Sequence, residues 1–403
     1  MKKRVFTAVI GGGAAGMVCA VAAAEKHREK KILLIESADR VGKKLLVTGN
    51  GRCNLSNRCA HGENYHGEGA EEFVNILFEK YNPAYVIEWF HRLGLLTRAE
   101  PDGRVYPLSN QASSVLGVLL LALRRYGIEV MTSCSISGVR RTGDGYVLFC
   151  GEDTVIAEKL VVACGGRADY AGRIGASADI LRMLSLDTTA LSPALSPVRV
   201  RSHVIGMLKG VRADAQVTLI KGGTELRQER GEVQFADRAL SGICVFNLSR
   251  TANLEHGCSI VLSLLPDLSD DQIVELLSAH AVSADSCADL FTGIFHKAIG
   301  LALLKECVIP PSQRASDLSA NDIRRLCRLI NRWEFECETR RDFQNAQVTA
   351  GGVRLVVIDP MTCEHRRHRG MYIIGEALDV DGDCGGYNLQ FAFASGLCAG
   401  DAL

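Results

Sequence analysis

Hydrophobic and polar positions alternate along this 403-residue chain in short blocks. Val5–Ile10 is an apolar run closed by glycines, the pattern of a strand buried on both faces in a parallel sheet. The alanine-rich, proline-free stretch 14–26 predicts a helix, and Lys31–Glu36 a second buried strand. Together they predict a βαβ unit. Residues 40–70 hold no sustained period and are rich in Gly and Asn, a long loop of the kind more often functional than idle. Helical periodicity follows over about 70–93 and 113–126. Short strand-like runs then occupy 128–163 and end in Leu160–Gly166.

The pattern changes after Ser192-Pro193 and Ser196-Pro197, which read as a linker. Residues 198–265 are mostly strand-like, with one helix near 242–253. Ser269, with Asp270 and Asp271 behind it, has the form of a helix N-cap, and helical patterns continue to about Asn331. Strand character returns at Trp333, at 353–358 and at 371–374, and a final proline-free helix is expected from about 387 to 400.

Composition narrows the class. Lys plus Arg and Asp plus Glu number 46 each, so a general nucleic-acid or anionic-membrane binder, which needs basic excess, is disfavoured. Glycine, at 40, is in excess while proline, at 9, is scarce, which points to close backbone approaches rather than disorder. The 15 cysteines are odd in number and form no C-x-x-C, so free buried thiols are expected rather than a disulfide scaffold or zinc ribbon. Lys2-Lys3-Arg4 before an apolar stretch imitates a signal peptide, but Gly11–Gly13 interrupt it. No run reaches the ~20 apolar residues of a membrane span. A cytoplasmic protein is expected.

Three segments carry candidate chemistry. Gly11-x-Gly13-x-x-Gly16 follows a strand and opens a helix, with Glu36 at the end of the next strand. The first glycine allows the turn, the second lets a diphosphate approach, and the third lets helix and strand pack. A carboxylate at Glu36 suits a ribose with a free 2′-hydroxyl, hence FAD or NAD rather than NADP. The loop Lys43–Asn57 offers glycines and asparagines able to adopt φ > 0, and Lys43, Lys44 and Arg52 could neutralise phosphate or flavin charge. In Tyr372–Gln390 a short strand ends at Gly375-Glu376. An acidic turn follows, and Gly385-Gly386 open a helix whose N-terminus would stabilise negative charge. Glu376, Asp379, Asp381 and Asp383 lack the spacing of a calcium loop, so no metal is expected.

These segments, G-G-G-A-A-G (11–16), R-V-G-K-K-L-L-V-T-G-N-G-R-C-N-L-S-N (40–57), V-T-A-G-G-V (348–353) and G-E-A-L-D-V-D-G-D-C-G-G-Y-N-L-Q (375–390), resemble the bacterial BaiN-like flavoproteins, also called the aminoacetone oxidase-like FAD-binding family. The resemblance implies an α/β fold: a Rossmann-like FAD domain of the glutathione-reductase type, with an inserted β-rich substrate domain and a small helical domain. The boundaries expected are 1–192 with 345–403, 193–265 with 332–344, and 266–331. The FAD-binding residues expected are Gly11, Gly13, Ala14, Ala15, Gly16, Glu36, Lys43, Lys44, Thr48, Gly49, Asn50, Arg52, Cys53, Asn54 and Val130. To these are added Ala163, Cys164, Gly165, Gly375, Glu376, Gly385, Gly386, Tyr387, Asn388 and Leu389. The sequence departs from the family pattern at Cys164, Ala168-Asp169-Tyr170, Gly175–Asp179 and Ser241-Gly242-Ile243, which touches substrate choice rather than FAD.

The resemblance implies either of two reactions: reduction of a conjugated enone, with NAD(P)H as transient donor, or oxidation of an amine with release of peroxide. A flavin-bound redox sensor is a third reading. The chain carries one G-x-G-x-x-G, so a separate NAD(P)H domain is not expected. Tyr387 and Arg52 are the catalytic candidates. Cys53, without a C-x-x-C partner, is not expected to exchange disulfides. His365–Arg369 (H-R-R-H-R) reads as a solvated hairpin tip and His296 as ordinary packing. The partner expected is a small molecule, not nucleic acid or membrane.

Overall fold

The computed structural model describes residues 2–168, 176–338 and 343–403, and the divergent stretch Asp169–Gly175 lies outside them. Its first sheet has seven strands: β1 (Lys2–Ile10), β2 (Ile32–Ile35), β3 (Glu129–Met131), β4 (Ile136–Thr142), β5 (Gly145–Cys150), β6 (Asp153–Val162) and β7 (Met371–Ile373). β3, β2, β1 and β6 run side by side and parallel. β6 then forks: residues 153–157 pair antiparallel with β5, while 160–162 pair parallel with β7. Ala8–Ile10, Leu33–Ile35 and Leu160–Val162 are buried on both faces, the reason these runs are uninterruptedly apolar. This is a Rossmann-like α/β sheet with a β-meander on one flank.

Helix α1 (Ala14–Lys26) follows β1, and α2 (Tyr387–Ala402) follows β7. They pack in parallel along small residues. A Cβ on Gly396 would stand 2.7 Å from the Ala15 carbonyl oxygen, and one on Gly400 2.6 Å from Ala22 Cβ. Tyr387 lies nine residues before Gly396, so the α2 N-terminus projects about 13 Å past that of α1 at ~1.5 Å per residue.

Two elements differ from the sequence pattern. The helical stretch expected over 70–93 is two helices, Ala70–Lys80 and Pro83–Arg92, because Pro83 cannot continue a helix and Asn82 caps the second by accepting from the Tyr85 N–H at 3.0 Å. Residues 353–358 form a short 3₁₀ turn, Leu355–Val357, with isolated bridges rather than a strand.

The chain divides into two compact units, residues 1–193 with 346–403, and 194–345. In the second unit six strands close into a barrel, in the order 198–201, 239–241, 224–236, 212–221, 258–263, 333–337. Val200 pairs with Cys337 to shut it. Gly242, at φ +114°, turns the chain from the barrel into helix Ile243–Leu254; a Cβ there would meet the Glu232 oxygen at 2.2 Å. The helices Asp270–Ser283, Lys297–Glu306 and Ala320–Asn331 share one continuous hydrophobic core with the barrel. Ser269 caps the first of these as its sequence predicts, accepting from the Gln272 N–H. No helix among the described residues is long and apolar enough to cross a membrane.

Candidate active site

The site is built at the carboxyl ends of β1, β6 and β7, where parallel α/β sheets gather ligands. In the glycine turn the three glycines differ in what demands them. Gly11 has φ +106° and a Cβ there would meet the Ala163 oxygen at 2.2 Å; a Cβ on Gly16 would meet the Gly11 oxygen at 2.0 Å. Around Gly13 nothing lies within 4 Å of the Cβ position. Protein packing therefore requires the first and third glycines, while the second faces open space. Gly13 is also the N-cap of α1, which has no side-chain cap and no acid in its first turn. Its leading N–H groups are left for an anion.

Glu36, at the end of β2, accepts from the Gly12 N–H at 2.8 Å and the Ala38 N–H at 2.7 Å. These bonds fix the carboxylate beside the turn. Val130 on β3, opposite Leu34 and 37% exposed, is an uncovered apolar residue on the same side of the sheet edge, where Glu36 N–H donates to the Met131 oxygen.

The 43–57 loop adopts the backbone its composition allows: Gly49, Asn50, Gly51 and Cys53 all have φ between +55° and +81°. Its cations, however, are spent within the protein. Lys43 pairs with Asp39. Lys44 Nζ lies 2.6 Å from Glu376 Oε2 and donates to the Ala168 oxygen at 2.8 Å. Arg52 stacks on the Tyr106 ring at 4.2 Å and reaches Glu100 at 3.4 Å. Each of the three has a carboxylate, so stabilising an anion falls to backbone N–H groups rather than to these side chains.

The carboxyl-terminal segment is laced onto that loop. Gly385 (φ +145°) and Gly386 (φ +100°) open α2 without a side-chain cap. A Cβ on Gly386 would meet the Ser56 oxygen at 2.4 Å. Asn57 Nδ2 donates to the Gly385 oxygen at 3.0 Å, and the buried Ser56 hydroxyl donates to Gln390 Oε1 at 2.7 Å. Glu376 Oε1 accepts from the Thr349 N–H at 2.8 Å, while Thr349 Oγ1 accepts from the N–H groups of Arg167 and Ala168, both at 2.7 Å. Gly375 (φ +63°) sits against Ala15. Asn388 does not face outward: its amide brackets Gly382, accepting at 2.9 Å and donating at 2.8 Å. Leu389 is partly buried and packs against the core of the first unit.

Tyr387 is half-buried at the first position of α2, its ring edge-on to Tyr65 at 6.2 Å. Tyr65 Oη donates to the Tyr387 carbonyl at 2.9 Å. Among the described residues the Tyr387 hydroxyl has no hydrogen-bond partner. Burial, and then the nearby charge of Asp383, hold its phenol above the ordinary value, so it keeps its proton at neutral pH. Asp383 itself faces His66 Nε2 at 2.9 Å. The acidic turn thus uses its carboxylates within the protein, and among the described residues no three His, Cys, Asp or Glu side chains converge as a metal site requires.

The motifs at 40–57, 348–353 and 375–390 contain Ser56, Asn57, Thr349 and Gln390, but nothing in the sequence showed that these side chains bind the segments to one another. Cys53 and Cys164 are each pushed up to about 12 by burial, which keeps both thiols neutral. Alkylating the native protein near neutral pH with iodoacetamide should therefore spare Cys53 and label exposed Cys59 first; peptide mass mapping reads the order, and early labelling of Cys53 would contradict its burial.

FAD fits this arrangement. Two uncapped helix N-termini are offset by about 13 Å, one beside open space at Gly13. The Cβ positions of Gly51 and Gly165 are likewise empty, and among the described residues Asn54 Oδ1 is buried without a partner. An elongated ligand with a central diphosphate and an aromatic ring at one end would use both termini.

The sequence matches the family described as HI0933-like protein Rossmann domain over residues 5–402. It is 35% identical to the 3-dehydro-bile acid delta(4,6)-reductase of Clostridium scindens over 98% of both chains. It is 26% identical to the ribosomal RNA dihydrouridine synthase of Escherichia coli, over 98% of this chain and 97% of that one. Among solved structures, a variant of the FrdA subunit of E. coli quinol fumarate reductase shares the fold. The TM-score is 0.50 at 15% identity, covering 100% of this chain and 70% of that one.

Proposed function

The chain belongs to the family of HI0933-like Rossmann-domain proteins, and from that premise we propose that it is an FAD-dependent oxidoreductase that reduces a carbon–carbon double bond conjugated to a carbonyl, with NAD(P)H as donor. The observation that carries this reading is the 35% identity, over nearly the whole length, to a reductase of a delta(4,6)-unsaturated bile acid. Bound FAD would supply the position that takes hydride from the donor and returns it to the β-carbon of the acceptor.

The chain's own residues do the rest. Gly13 and the α1 N-terminus hold the diphosphate, and Glu36 the ribose. The α2 N-terminus, behind Gly385-Gly386, would offer oriented N–H groups able to stabilise negative charge on the bound group. Tyr387 Oη holds the proton destined for the α-carbon. With a single G-x-G-x-x-G, donor and acceptor would share one binding site.

The ribosomal RNA dihydrouridine synthases among the relatives favour a second acceptor of the same chemistry, since the C5–C6 double bond of uracil is also conjugated to a carbonyl. An amine oxidase would be distinguished by its products. Anaerobic stopped-flow absorbance tests the reading. NADH or NADPH should bleach the yellow protein, and a 3-oxo-4,6-dienoic steroid should restore the colour. If both nicotinamides leave the colour unchanged, while aminoacetone bleaches it and air then yields peroxide, the oxidase replaces the reductase.

A further inference from the structure

The chain is neutral overall, yet one surface of the first unit is strongly basic. Residues 364–370 turn back on themselves before β7, and this turn lies against the β4–β5 hairpin. Arg141 on β4 touches His368 Nδ1 at 2.9 Å, and Tyr146 Oη on β5 donates to the Arg369 carbonyl at 2.9 Å. Arg140, Arg141, Arg366, Arg367 and Arg369 are therefore gathered from two segments more than 200 residues apart, and all five are exposed.

The rest of the molecule pairs many of its exposed arginines, as in Arg201–Glu336, Arg212–Glu232 and Arg354–Glu68. Among the described residues none of these five has a carboxylate within ion-pair distance. Three acids lie close by and none makes an ion pair with them among the described residues: Glu364 accepts from the Gly370 N–H at 2.7 Å, Asp144 sits exposed in the β4–β5 turn, and exposed Glu158 has its backbone against Gly145 and Gly370.

Nor is the turn a loose tip. His365 is buried, and its Nδ1 accepts from the N–H groups of Arg367 and His368 at 3.1 and 3.2 Å. Its ring stacks 4.3 Å from that of His368. The backbone is fixed while the five side chains stay exposed, with Arg141 bonded to His368 and Arg140 over the Phe149 ring at 5.9 Å, an arrangement that lowers the ordering cost of binding. Burial, and then the charges of Arg141 and Arg367, hold His368 below its ordinary pKa.

We propose that the surface formed by Arg140, Arg141, Arg366, Arg367 and Arg369 binds the phosphodiester backbone of RNA. Planar guanidinium forks match phosphate oxygens two at a time. From Arg369 along β7 to Gly375 at the candidate site is six residues, about 20 Å at ~3.3 Å per residue. One small substrate cannot span that distance, whereas a polymer can. Relatives that act on ribosomal RNA favour RNA over a lipid surface, and the patch is a tight turn rather than an amphipathic helix. The proposal is independent of which acceptor the enzyme reduces, because binding and turnover are read separately.

The test uses the full, FAD-loaded protein and a short fluorescein-labelled RNA hairpin, with anisotropy followed from about 50 to 200 mM salt. The wild type should bind at the low-salt end and weaken steeply with salt. Arg366→Glu/Arg367→Glu should bind at least ~10-fold more weakly, with a log–log salt slope shallower by about 2. Both side chains are exposed, so the variant should keep its flavin absorbance and its stopped-flow rates. Absence of RNA binding by the wild type at about 50 mM salt overturns the proposal. So does unchanged affinity in the double variant, or binding to phosphatidylglycerol vesicles in place of RNA.

Discussion

Replacing Gly13 with valine is expected to give a folded protein that purifies without flavin. At φ −81° and ψ −167° the residue sits in extended backbone that valine adopts readily, and no atom lies within 4 Å of the new Cβ. Stability should change by no more than about 0.5 kcal/mol. The space that the side chain fills is, however, the approach of a diphosphate to the α1 N-terminus. FAD affinity should fall by at least ~100-fold, about 3 kcal/mol. Gly11→Val and Gly16→Val serve as contrast, since their side chains would drive into backbone oxygens at 2.2 and 2.0 Å, and both should fail to fold. The visible flavin band and a thermal melt of the same preparation separate the two outcomes. A yellow Gly13→Val protein with stoichiometric flavin would show that the diphosphate lies elsewhere.

The second large effect concerns proton delivery. In Tyr387→Phe the ring and its edge-on contact with Tyr65 survive, and only the hydroxyl is lost. Reduction by NAD(P)H needs no proton from Tyr387 and should change less than about twofold, whereas reoxidation by the enone should slow about 100-fold or more, the usual range for a lost general acid. The sign of the pH dependence follows from the raised phenol. Burial and Asp383 favour the protonated form, so the donor stays loaded through the neutral range, and the reoxidation rate should decline only above pH 10.0, the ordinary tyrosine value. Wild-type reoxidation in the phenylalanine variant would assign the proton to another group. Arg52, the other catalytic candidate, is already committed to Glu100 and the Tyr106 ring, and fits holding the loop better than proton transfer.

What the sequence disclosed was local. The strand–turn–helix of Val5–Lys26 follows from apolar runs and glycine spacing within about two dozen residues, and the Ser269 cap from a single short motif. The left-handed backbone of Gly49–Gly51 followed from residue type. What it hid were partners far apart in the chain. Nothing in the spacing pairs Lys44 with Glu376, 332 residues away, or Ser56 with Gln390, 334 residues away. The loop cations looked free for phosphate because their carboxylates are distant in sequence or, at Asp39, lie in the turn four residues back. Pro83 was visible, but the amphipathic period on either side of it concealed the break. The glycine excess also divides differently than its count implies, because Gly396 and Gly400 serve the contact between two helices and not a ligand.

The first unit is interrupted at residue 193 and resumes at 346. A ribosome must therefore make the whole 194–345 unit before Thr349, Glu376 and Gly386 exist. At about 5–20 residues per second that interval lasts roughly 10–30 s. Throughout it, β6 lacks its β7 neighbour and the small-residue stripe of α1 has no α2 to cover it. The nascent protein thus presents an unpaired strand edge and an alanine-rich groove to solvent, and the barrel is free to fold first. Chaperone capture of nascent chains should be strongest for those paused between 193 and 346.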